Sequence, residues 1–254
     1  MEQQDMNDSS CILTSQSDAT MTITLNRPDV RNAMSTLLID ELERSIIEAG
    51  KSEARTLVIE GTDPCFCAGM DLKTAGSEPT AMREMLHGLA RVMIAIRNLE
   101  IPVIARVQGA AIGGGCGLMT ACDFAITHPD AKLGYPEVDH GICPAVVTPW
   151  LVRKIGAGRA RALLLMGGTI TGAHALEIGL VTELAPREQL GEAVEALVER
   201  LAKGGRSALA TTKRWLNEVE GSKLETELAR GADLSADVLE GPEAQERLAR
   251  PRKR

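Results

Sequence analysis

Three short stretches of the chain hold residue types suited to moving a proton beside a carbonyl group. In Gln108-Gly109-Ala110-Ala111-Ile112-Gly113-Gly114-Gly115, three consecutive glycines run into a small-residue segment, Cys116 to Cys122. If that segment is a helix, its first N–H groups are unpaired and sit at the positive end of the helix dipole. Glycine lets another group approach them closely. Such a turn binds an anion, or an oxygen on which negative charge develops. It does not suit a nucleotide phosphate: Cys116-Gly117 stands where a phosphate loop needs Gly-Lys-Ser/Thr, and Leu118 breaks the dinucleotide spacing. Tight helix–strand packing accounts for the glycines equally well. The second stretch, Cys67-Ala68-Gly69-Met70-Asp71-Leu72-Lys73, is another glycine turn after an apolar run. Two backbone N–H groups from two such loops form an oxyanion hole, and losing one donor of that kind costs on the order of 3 kcal/mol in the transition state. The third, Gly134-Tyr135-Pro136-Glu137-Val138, places one carboxyl after a proline turn. In a poorly solvated pocket its pKa rises toward neutrality, which suits it to proton transfer. At the surface it is an ordinary glutamate.

The remaining reactive residues are less pointed. His87, His128, His140 and His174 are too scattered for a metal set, and Cys65-x-Cys67 lacks a second pair. No metal and no separate cofactor are expected. Asp139-His140 stands next to Glu137 as a candidate pocket lining, or as plain loop. Asp71 reads as an acceptor that stabilises its loop, and Cys116 as a packed, inert thiol.

These loops need elements to hold them. Ala19 to Leu25 alternates polar and apolar residues as a strand does, and Asn26-Arg27-Pro28-Asp29 turns it. Ser35 is an N-cap candidate for a helix over 35–49, in which Leu38, Leu42, Ile46 and Ala49 share one face. Residues 56–61, 102–107 and 123–127 read as further strands and 80–98 as a helix. From about 187 onward the spacing is helical only: Leu190, Val194, Leu197 and Leu201 lie on one face, and 206–220 and 222–239 repeat the theme. Alternating β and α followed by helices predicts an α/β core over 19–186, a C-terminal helical subdomain over 187–254, and a flexible lead-in over 1–18.

Composition sets bounds. The 254 residues are 44% hydrophobic and 25% charged, as in ordinary soluble domains, but include only two Trp, one Tyr and two Phe. The core must therefore be aliphatic. A net charge of −7 gives no global attraction for nucleic acid, although Arg250-Pro251-Arg252-Lys253-Arg254 is a local basic tail. No apolar run is long enough to span a membrane, no signal peptide is seen, and the six cysteines read as free thiols of a reducing cytoplasm.

Taken together, the motifs resemble the enoyl-CoA hydratase/isomerase (crotonase-like) superfamily. Phe66 to Lys73 is similar to its first oxyanion loop. Pro102 to Ala105, with Gly113-Gly114-Gly115 and Ala121-Cys122-Asp123, resembles the second. Gly134 to Val138, with Gly141-Ile142 and Pro144, resembles the third motif. Leu25 to Pro28, and Thr169 to Val181, match an opening and a later segment. The resemblance covers roughly residues 20–245. It implies a spiral of repeated ββα units and, commonly, a homotrimer or hexamer. It also implies that the N–H groups of Met70 and Gly114 hold the thioester oxygen, that Ala68 and Met70 to Lys73 contact the acyl-CoA, and that Glu137 is the acid/base. Two-glutamate hydratases of the family carry a glutamate directly after the Gly-Gly-Gly-Cys run, and here that residue is Gly117; the family's dienoyl isomerases use further acids, one of which would fall near Ala145 and is missing too. The resemblance thus points to a hydratase-like enzyme working through a single glutamate. A Δ3–Δ2 isomerase using the same glutamate, or a non-catalytic acyl-CoA-binding scaffold, stands as the alternative.

Overall fold

A computed structural model describes residues 10–72, 79–221 and 223–249 of the chain. Lys73 and the basic tail over 250–254 lie outside the described residues.

Two sheets form the framework. The larger has the order β1-β2-β3-β4-β6-β9, made of Ile12–Ser17, Thr20–Leu25, Thr56–Gly61, Val103–Val107, Phe124–Thr127 and Glu183–Leu184. All neighbours from β2 onward are parallel, and only β1 runs antiparallel, against β2. The smaller sheet joins β5 (Ala111–Ile112), β7 (Lys132–Gly134) and β8 (Thr169–Thr171). Successive passes of the chain place β4 in one sheet and β5 in the other, then β6 and β7 likewise. That is the expected ββ alternation of a spiral.

Parallel strands covered on both faces are apolar throughout, and alternate residues serve opposite faces. Leu57 and Ile59 of β3 and Val103, Ala105 and Val107 of β4 belong to the main core, while Val58 and Ile104 point the other way into a second cluster. The main core is closed by α1 (Thr36–Lys51) and α2 (Pro79–Asn98). The second cluster is closed by Leu190 and Val194 of α7 (Leu190–Ala202), with α3 (Gly114–Ala121), α4 (Thr148–Ile155), α5 (Ala157–Met166) and α6 (Gly172–Glu177) lying between in sequence. Ser35 caps α1 as its position predicts: its hydroxyl accepts the Leu38 N–H at 3.3 Å, and Leu38, Leu42, Ile46 and Ala49 are buried.

The lead-in is shorter than expected. Residues 12–17 form β1 instead of a flexible segment, in register with β2 from Ile12↔Leu25 to Ser17↔Thr20. Only Ile12 of that strand is buried. An edge strand held by backbone pairing with an exposed polar surface has no hydrophobic alternation to betray it.

The chain ends in α8 (Arg206–Val219), α9 (Leu224–Glu240) and α10 (Pro242–Ala249). Helix α9 lies against α2, and its Leu224, Leu228, Ala232, Ala236 and Leu239 are part of the main core. Gly231 lets it approach the backbone of Ala145, where a Cβ would stand 2.5 Å from the carbonyl oxygen. Beside it, the Ser235 hydroxyl donates to the Cys143 carbonyl at 2.8 Å and accepts the N–H groups of Ala145 and Val146 at 3.1 and 3.2 Å.

Candidate active site

The first glycine loop follows β3 and is laced to the turn after β2. Asn32, fully buried, donates to the carbonyls of Thr62 and Cys65 and accepts the Arg27 N–H. The N–H of Ala68 bonds Arg31 O, that of Met34 bonds Gly69 O, and that of Asp71 bonds Met34 O, at 2.8–3.0 Å. These bonds, with Gly69 at φ 92°, take up the amides on either side of Met70. No partner is found for the Met70 N–H itself among the described residues.

The second loop leads from β4 through β5 into α3. Gly113, at φ 55°, turns the chain, and Gly114 is the first helical residue, so its N–H has no acceptor one turn back. The two loops are in contact. Cys67 exchanges backbone bonds with Ala110 and Ile112 at 3.1 and 3.0 Å. A Cβ on Gly69 would lie 2.8 Å from Ile112 O and 3.7 Å from the Gly114 nitrogen. A Cβ on Gly115 would land on the Cys67 carbonyl oxygen and within 2.9 Å of its sulfur. Here the glycines serve close packing, and the same turn leaves the Gly114 N–H at the start of the helix.

Glu137 sits on a 3-10 turn, Pro136–His140, that Gly141 closes at φ 72°. Its Oε1 lies 2.9 Å from where a Cβ on Gly113 would stand, so the carboxyl abuts the turn that presents Gly114. Its Oε2 is enclosed and has no hydrogen-bond partner among the described residues. Burial pushes its pKa up from 4.5 to about 7, and the negative charge of Asp139 adds to the rise. A carboxyl shielded from water in this way is suited to exchanging a proton near neutral pH.

The other expected site residues divide. Ala68, Met70 and Leu72 are half-buried beside the first loop. Asp71 is buried and pairs with Arg27 at 3.1 Å, which holds the loop. Asp139 turns from Glu137 to accept the Gly168 N–H at 2.9 Å. Cys116 is fully buried, and burial pushes its thiol up to about 12, which disfavours the thiolate. Gly117 faces an apolar wall: a Cβ there would collide with the Val147 side chain, 3.2 Å from its Cβ, with Met93 Sδ at 3.9 Å. Val147, Met93 and the pair Tyr135–Thr120 escape a reading of the sequence, because nothing in their local spacing marks the distant segment that each meets. Among the described residues no group of three His, Cys, Asp or Glu is placed to hold a metal, and no helix is long and apolar enough to cross a membrane.

Known proteins resemble this chain in sequence and fold. The enoyl-CoA hydratase/isomerase family model matches residues 15–250. A putative enoyl-CoA hydratase/isomerase of Bacillus subtilis, YngF, is 34% identical over 235 residues, covering 91% of this chain and 89% of that one. A putative enoyl-CoA hydratase of Thermus thermophilus is 33% identical over 225 residues, covering 85% and 87%. The crystal structure of an enoyl-CoA hydratase from Bacillus halodurans superposes with a TM-score of 0.88 at 26% identity, over 94% of this chain and 99% of that one. With the spiral of paired strands, the two abutting glycine loops and the family model spanning nearly its whole length, the chain belongs to the crotonase-fold enoyl-CoA hydratase/isomerase family.

Proposed function

We propose that the chain is an enoyl-CoA hydratase-like enzyme that adds water to, or removes it from, the C2=C3 bond of an acyl-CoA thioester. The Glu137 carboxyl carries the reading: its Oε2 is enclosed without a hydrogen-bond partner among the described residues, and its Oε1 is set against the turn that presents the Gly114 N–H. With the thioester oxygen between the N–H groups of Met70 and Gly114, charge that develops there meets two fixed donors. The Glu137 carboxylate takes a proton from water as the water oxygen bonds C3. The π electrons move toward the thioester as an enolate, and the Glu137 carboxylic acid returns the proton to C2. One group serves as base and then acid, and the net change is one water across the double bond. The acyl-CoA brings its own CoA, so the reaction calls for no separate cofactor.

A second reading, Δ3–Δ2 enoyl-CoA isomerisation, draws on the wall at Gly117. Val147 fills the place of a second carboxyl, and a single base suffices to take a proton from C2 and deliver it to C4. A mass-resolved assay with a 2-enoyl-CoA and a 3-enoyl-CoA separates the readings. Gain of a water mass from the 2-enoyl substrate establishes hydration. A shifted double bond at unchanged mass establishes isomerisation. Binding of CoA esters without turnover on a broad acyl panel rejects both.

The same wall makes a substitution informative. Gly117→Glu alone is expected to destabilise the fold by about 1–3 kcal/mol through overpacking, without raising hydration. Adding Val147→Gly is expected to recover much of that loss. Thermal melts of the single and double variants check this, and a Gly117→Glu protein that melts with the parent contradicts the wall.

A further inference from the structure

Tyr135 is fully buried, one of the largest side chains in the interior, and immediately precedes the turn that carries Glu137. Its hydroxyl lies 2.9 Å from Thr120 Oγ1, and Thr120 in turn lies 2.7 Å from the Cys116 carbonyl oxygen. A carbonyl only accepts, so the single Thr120 proton goes to Cys116. The Tyr135 hydroxyl must then be the donor to Thr120. Both hydroxyls are satisfied, in one direction, in a dry interior. Thr120 and Cys116 are residues of α3, the helix that begins at Gly114. A backbone bond runs parallel to this chain: Gly113 N–H donates to Gly134 O at 2.8 Å. One bond thus joins the residue before Gly114 to the residue before Tyr135, and the side-chain relay joins the body of α3 to Tyr135 itself.

We propose that Tyr135, acting through Thr120, is the positioning residue that sets the Glu137 carboxyl against the Gly114 N–H. This inference rests on the reading of Glu137 as the acid/base. Tyr135 touches no reacting atom; it fixes where its neighbour's carboxyl can stand and how well that carboxyl is shielded from water. The ionisable groups around Glu137 are Asp139 on its own turn, Cys116 and Tyr135 behind it, and Cys143 on the following segment. Arg247 of α10 reaches the same turn, at the Asp139 carbonyl. His140 closes the same turn, and histidine is the side chain that ordinarily changes charge between pH 5 and 8, so the carbon-13 titration of the carboxyl, not the rate limb alone, reports Glu137.

The experiment compares Tyr135→Phe, Thr120→Val, the double variant and Thr120→Ser with the parent. Three readouts are taken: the pH profile of kcat, KM, and a carbon-13 NMR titration of the Glu137 carboxyl. Tyr135→Phe is expected to lower kcat about tenfold or more with KM nearly unchanged. The carboxyl gains water, so its titration moves down from about 7 by about half a unit or more. Thr120→Val is expected to match it, the double variant to fall no further, and Thr120→Ser, which keeps the hydroxyl, to return the profile. A Glu137 titration that stays in place in Tyr135→Phe overturns the proposal, whatever happens to the melting temperature or rate. Turnover that survives Glu137→Gln overturns the acid/base reading instead, while the NMR titration still decides whether Tyr135 positions the carboxyl.

Discussion

Glu137→Gln is expected to lower kcat by about 10²- to 10⁴-fold, the usual contribution of a positioned acid/base, with a smaller change in KM. Glutamine keeps the shape of the side chain and its place against Gly113, so the loss isolates the proton transfer. In the hydration direction the carboxylate is the active form. The parent's kcat/KM should therefore rise with pH through about 7, and the variant's residual rate should be flat across that window. Burial acts with the opposite sign on the fold. Between 4.5 and about 7 the folded chain holds a proton that the unfolded chain has released, so stability falls as pH rises through that interval. Glutamine has no such charge. The variant should be more stable than the parent at pH 8, by up to about 3 kcal/mol, and equal to it below about pH 4. Urea unfolding at the two pH values measures the difference. A variant that is both active and no more stable at pH 8 removes Glu137 from the site.

The second large effect is expected at Gly115. Gly115→Ala places a Cβ on the Cys67 carbonyl oxygen, which is backbone and cannot rotate away. The methyl group must wedge α3 away from the first loop, and with it Gly114 from Met70. Overpacking of this kind costs about 1–3 kcal/mol. The larger expected consequence is catalytic: under the proposed function the two donors converge on one oxygen, the methyl moves them apart, and kcat should fall about 10²-fold or more. Steady-state kinetics beside a thermal melt check it. Unchanged kcat in a folded Gly115→Ala protein would show that the loops do not act as a pair.

What the sequence discloses follows the range over which each interaction is encoded. Helix α1 is legible because Ser35 and the 3.6-residue spacing of Leu38, Leu42 and Ile46 are local, and β3 and β4 because continuous apolar runs mark strands buried on both faces. Strand β1 is hidden because its exposed residues carry no pattern. Strands β5, β7 and β8, of two or three residues each, are too short for periodicity and exist because each finds the next. At the site, the glycine turns and the proline before Glu137 announce themselves by residue type. The residues that surround them do not. Val147 meets Gly117 from thirty positions further along the chain, and Tyr135 is an ordinary core aromatic until its hydroxyl is seen to point at Thr120.

The grip of α9 on the segment after Glu137 bears on synthesis. Ser235 holds Cys143, Ala145 and Val146 from 92, 90 and 89 residues further along the chain. At roughly 5–20 residues per second, a ribosome needs roughly 5–20 s to bring that serine out after the cysteine. Over that interval β8 and β9, the last strands of the two sheets, emerge, while residues 143–146 still lack the Ser235 hydroxyl that holds them. Under the proposed function, competence for chemistry is expected to arrive with one of the last helices to be translated. A nascent chain stalled before α9 should carry its sheets and both glycine loops, yet remain catalytically silent.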